Sequence, residues 1–100
     1  MTDRFKVKVT EDAKLDVRDA VDWYEFQRPG LGIRFKNHLN QAISQLKLNP
    51  YRQIRFDSVR VVPMKIFPYT IHYELVEDKK LVVIISVFHN ARSPKRWRNT

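Results

Sequence analysis

One hundred residues, 43% of them apolar and 30% charged, fit a single folded domain with one core, spanning residues 1–100, and exclude a disordered chain. No apolar run approaches the roughly 18 residues of a membrane span, and the start MTDRFKVKVT lacks the apolar core of a secretion signal, so a cytoplasmic protein with no membrane partner is expected. Cysteine is absent, which excludes disulfides and thiolate metal sites, while a net charge of +8 favours a polyanionic partner.

Phe5, Val7 and Val9 alternate with Lys6 and Lys8, the pattern of a short half-buried strand. Thr10 is a good helix N-cap, with Glu11 and Asp12 in the first turn. A helix is predicted from Glu11 to Phe26, burying Ala13, Val17, Ala20, Val21 and Tyr24 and wetting Asp12, Asp16 and Asp19. RPGLG, residues 28–32, holds both glycines and makes a corner, being too short and wrongly placed for a phosphate-cradling loop. A second helix runs from Ile33 to Leu48, with Phe35, Leu39, Ala42, Ile43 and Leu46 on one stripe, and Asn49-Pro50 ends it. The two form an antiparallel helical hairpin.

The second half is β-rich. Val59, Val61 and Val62 mark one strand, ended or bulged near Pro63. MKIFPYTIHYEL marks another, in which Pro68 requires an edge, bulge or kink. Glu77 to Lys80 is a hairpin loop, and LVVIISVF, residues 81–88, is apolar on both faces. The expected class is α+β: an N-terminal strand, the helical hairpin, then a three- to four-stranded, mainly antiparallel sheet that the first strand joins. Two helices cover one face of such a sheet, so the other is expected to be apolar and uncovered, awaiting a partner.

The charge is uneven. Residues 51–100 hold ten Lys/Arg against four Asp/Glu, and the tail at about residues 90–100 carries Arg92, Lys95, Arg96 and Arg98 without an acid. His38, His72 and His89 lack metal-ligand spacing, and neither a GxSxG motif nor a P-loop occurs, so no metal or cofactor is expected. Arg60, Lys65, His72, His89 and Arg92 fall on strands or strand ends expected side by side. RNA cleavage without metal is open to such a set, with His89 as acid or base and Arg60 and Arg92 as phosphate clamps. The alternative reading makes His89 a strand terminus and His72 a surface residue. Trp97, among Lys95, Arg96 and Arg98, fits a base-stacking platform or a chain end docked on the core.

FPYTIHYEL, a charged hairpin and VVIISVFHNARSPKRW, together with EDAKLDVRDAVDWYEFQRPGLGIRF and LNQAISQLKLNP, resemble the RelE/ParE family of bacterial type II toxins over nearly the whole chain. The resemblance implies a β-α-α-β-β-β toxin of the plasmid-stabilisation type, neutralised by a cognate antitoxin through an acidic or amphipathic segment. In that family, RelE-like members cut mRNA in the ribosomal A site and ParE-like members inhibit DNA gyrase. The nuclease pattern places an arginine directly after the tyrosine that corresponds to Tyr69, where this chain has Thr70. A second arginine falls near Asn90, and a terminal tyrosine near Arg96 or Trp97. The resemblance therefore implies the ParE-like branch, not an enzyme, with Arg60, Tyr69, Tyr73, Phe88, Arg92, Arg96 and Trp97 as residues that contact target or antitoxin. The alternative is a RelE-like, ribosome-dependent, metal-independent endoribonuclease using Arg60, Lys65, His89 and Arg92.

Overall fold

A computed structural model describes residues 4–52 and 54–91. Strand β1 (Lys6–Val9) leads into helices α1 (Glu11–Gln27) and α2 (Leu31–Leu48). Strands β2 (Ile54–Phe56), β3 (Val59–Pro63), β4 (Tyr69–Val76) and β5 (Leu81–His89) follow, with one 3-10 turn, Glu77–Lys79, before β5. The strands form one sheet in the order β1-β5-β4-β3-β2. β1 runs parallel to β5, pairing Lys6 with Leu81 through Val9 with Ile84, and all other neighbours are antiparallel. The α+β class is as the sequence predicts, while the sheet has five strands because the short β2 adds to it.

Local chemistry explains the helices. The Thr10 hydroxyl accepts from the Ala13 N–H at 3.2 Å and caps α1. α2 opens on Gly30, whose φ of 90° suits a residue without a side chain and which supplies no cap. Glu25 of the preceding helix does that work. Its carboxylate accepts from Gly30 N at 2.9 Å and Gly32 N at 3.0 Å, placing negative charge at the positive end of α2. A Cβ on Gly32 would lie 2.7 Å from the Val21 carbonyl oxygen, so only glycine lets the helices approach here.

The core lies between the helices and one face of the sheet. Tyr24 and Phe35 stack at 5.4 Å, and Phe67 and Tyr69 pack against both. Leu39 and Leu46 of α2 and Ile71, Tyr73, Val82, Ile84 and Val87 of the sheet complete it, with Val7 and Val9 at its margin. Pro68 ends a loop rather than kinking a strand: residues 64–68 turn back on themselves, and β4 starts at Tyr69. Within that loop Phe67 N–H donates to Lys65 O at 2.7 Å around Ile66, whose φ is +74°. This tight turn is strained for a β-branched residue.

β4 and β5 slip register between His72, paired with Ser86, and Tyr73, paired with Ile84. The extra residue, Ile85, is a bulge that turns both Ile84 and Val87 toward the helices. The Asp16 carboxylate accepts from Val87 N–H at 3.0 Å, and Ile84 O accepts from Thr10 N–H at 3.0 Å. Asp16 is thus half-buried and structural, not part of a wet helix face.

The reverse face departs from expectation. Val61, Val83 and Ile85 are half-buried there, but Val59, His72 and Phe88 are fully buried, His72 at 4% exposure. His72 packs on Phe88 at 5.1 Å and its Nδ1 meets the Ser86 hydroxyl at 3.0 Å. The large apolar side chains left in solvent sit instead on the helices and loops and, in Ile54, on the edge strand β2.

Candidate interaction site

The helices touch at their corner through Gly32 and leave a groove of about 440 Å³ farther along. Val17 and Val21 of α1 and Leu39 and Ile43 of α2 wall it, and Val9, Ile84 and Val87 form its floor. Lys14 and Arg18 on one rim and Lys36 on the other give it a cationic border, relieved only by Asp22. The β5 bulge is what brings Ile84 and Val87 into this floor, so Asp16 shapes the groove from behind. Periodicity identified Val17, Val21, Leu39 and Ile43 as apolar helix positions. It could not show that they line an open groove, because the gap depends on how the helices cross.

Three of the expected contact residues are buried. Tyr69 is almost wholly buried among Tyr24, Phe35 and His89. Tyr73 has no exposed surface, and its hydroxyl donates to Pro50 O at 2.7 Å. Burial pushes the Tyr73 phenol above its ordinary value, against the opposing pull of the Arg52 backbone and of the Arg52 and Arg60 charges. Phe88 is buried beside His72.

The basic set is not assembled around one phosphate. Arg60 points toward the end of α2: its Nη1 donates to Arg52 O at 2.7 Å, and the guanidinium lies 5.8 Å from the Tyr51 ring centre. It works as a strap on the chain leaving α2 rather than a phosphate clamp. Arg60 pairs with Tyr73 across the sheet and His89 with Tyr69, so the two are offset by four β4 residues, about 13 Å along the strand. His89 Nδ1 accepts from Ala91 N–H at 3.1 Å, an end-of-strand contact. Lys65 is exposed in the loop before β4. Arg92, Arg96 and Trp97 lie outside the described residues.

Thr70 and Asn90 carry the clearest message. These are the positions where the resemblance places the arginines of the nuclease pattern. Here the Thr70 hydroxyl donates to Asn90 Oδ1 at 2.6 Å, a neutral pair satisfied by itself. It holds no cation with which to balance a pentacoordinate phosphate. Among the described residues no group of three or more His, Asp or Glu could hold a metal ion, and no helix is long and apolar enough to cross a membrane.

The sequence profile described as the ParE toxin of type II toxin–antitoxin systems, parDE, matches residues 7–94. No curated protein sequence matches the chain. Among solved structures, the chromosomal ParDE system of P. aeruginosa superposes with a TM-score of 0.76 at 15% identity, covering 88% of this chain and 98% of that one. The intact E. coli RelBE complex gives 0.67 at 17% identity over 88% of this chain and 99% of that one. RelBE2 of Mycobacterium tuberculosis gives 0.62 at 19% identity over 91% and 95%. At these identities the likeness is one of fold.

Proposed function

The chain belongs to the ParE toxin family of type II toxin–antitoxin systems, and from that premise we propose that it arrests growth by seizing DNA gyrase rather than by cutting RNA. The observation that carries the choice is the Thr70–Asn90 hydrogen bond, a neutral pair where a ribonuclease of this fold needs cations. Arg60, turned onto the Arg52 carbonyl, supports the same side. Purified toxin at excess should block DNA supercoiling by gyrase and leave mRNA on translating ribosomes uncut. Intact supercoiling with cleaved A-site message would reverse the assignment.

The same premise supplies a neutralising partner. The groove between α1 and α2 offers an apolar floor with Lys14, Arg18 and Lys36 around it. That chemistry fits an amphipathic antitoxin segment whose apolar residues enter and whose acids meet the rim. The structures of similar fold include complexes of toxins with their antitoxins, which supports this reading.

A further inference from the structure

Gly32 brings α1 and α2 into contact at the corner, so a segment lying in the groove leaves that end over the outer surface of the hairpin. The lining residues nearest the corner are Asp22 of α1 and Lys36 of α2. One helical turn farther on each stripe, at i+4 and i−3, stand Phe26 and Ile33, about 5 Å beyond the groove. Phe26 is 87% exposed and Ile33 is 66% exposed, and neither belongs to the core. Glu25 accepts from Gly32 N–H, so the residues that follow each of these, Phe26 and Ile33, are held at one level of the hairpin. The apolar lining of the groove therefore has an apolar continuation in solvent.

The charge along this path keeps the sign of the groove border. α2 contains no Asp or Glu. Arg28 in the corner and Arg34 next to Ile33 are exposed, and exposed Lys65 belongs to the loop whose Phe67 packs on Tyr24 and Phe35. Among the described residues none of these three is in an ion pair. Of the acids at this end, Glu25 is engaged with Gly30 and Gly32 N–H, Asp22 lies on the groove border among Lys14, Arg18 and Lys36, and Asp19 is two turns back along α1 from Phe26. Groove and corner thus present the same combination, apolar side chains within reach of cations. One kind of occupant suits both, a segment in which apolar residues are interleaved with Asp and Glu.

We infer that the antitoxin segment does not end in the groove: it continues over the corner, sets apolar side chains on Phe26 and Ile33, and places carboxylates against Arg28 and Arg34. This rests on the groove reading above and adds a second anchoring point to it. The test uses the full-length toxin and its full-length cognate antitoxin, with affinity, amide exchange and thermal unfolding as readouts. Phe26→Ala should weaken the complex about thirtyfold and Ile33→Ala about tenfold, as truncation of interface anchors does. Arg28→Glu combined with Arg34→Glu should slow association about tenfold at low salt. All of these should unfold at the parent's temperature, because the altered side chains stand in solvent in the free toxin. Amides of residues 26–34 should exchange more slowly in the complex than in the free toxin. Arg18→Glu combined with Lys36→Glu, on the groove border, is the reference and should weaken binding too. Corner variants that bind as the parent does, or unchanged exchange at residues 26–34, while the border variant binds weakly, overturn the extension and leave the groove reading standing. Parental binding by the border and corner variants alike overturns both. Loss of affinity in the corner variants alone overturns the continuous path, because groove and corner would then not be spanned by one segment.

Discussion

Asp16 and Tyr73 show how single polar groups hold this fold. Val87 N–H, two residues past the β5 bulge, donates to Asp16 of a helix 71 residues away in sequence. Asp16→Ala strands a buried donor and should cost about 1–3 kcal/mol in denaturant unfolding, while Asp16→Asn keeps an acceptor and costs less. Tyr73 ties the chain after α2 to the sheet centre through Pro50 O. Its phenol is raised by burial, so the folded state keeps a proton that the unfolded chain releases near pH 10. That contribution is complete below pH 10 and is lost as pH rises beyond it. Tyr73→Phe should cost about 1 kcal/mol at neutral pH. Its deficit against the parent should shrink in stability measurements above pH 10.

The helical corner is built as a unit. Glu25 closes the first turn of α2 by accepting two backbone N–H groups, in place of the side-chain cap that Gly30 cannot provide. Glu25→Ala should therefore lower stability by about 1–2 kcal/mol, detectable in thermal unfolding, with Glu25→Gln intermediate. The corner itself was legible as Pro29 with two glycines, and both helices from apolar spacing to within two residues of their ends. The clasp was not legible, because nothing in a one-dimensional pattern says that Glu25 folds back over residues 30–32. β2 escaped notice because Ile54–Phe56 is too short to show alternation. Asp16 read as solvent-facing because a bulge is a property of the pairing of two strands, not of either sequence. On the site side, the neutral residues at positions 70 and 90 were visible at once. Tyr69 and Tyr73 looked like contact residues because tyrosine is equally at home in an interface and in a core with a backbone acceptor. The open sheet face was inferred by counting helices, and it failed at His72 and Phe88.

Across the whole molecule the two signs of charge are sorted. α1 carries six acids and two bases, yet Lys14 and Arg18 lie with Lys36 on the groove border, where Asp22 is the acid that faces them. Replacing Arg18 and Lys36 by Glu should slow antitoxin association about tenfold at low salt and flatten its salt dependence, as seen by surface plasmon resonance. Gyrase inhibition should not follow it. The placement of β1 has a further consequence for how the toxin comes into being. Among the described residues its only strand partner is β5, so residues 6–9 wait for residues 81–84. On the ribosome the helical hairpin emerges before the β5 residues that form most of its sheet floor. A half-made chain therefore has neither the groove nor a settled fold. Fold and groove therefore mature together, and a chain that has closed its sheet already carries the cleft between α1 and α2.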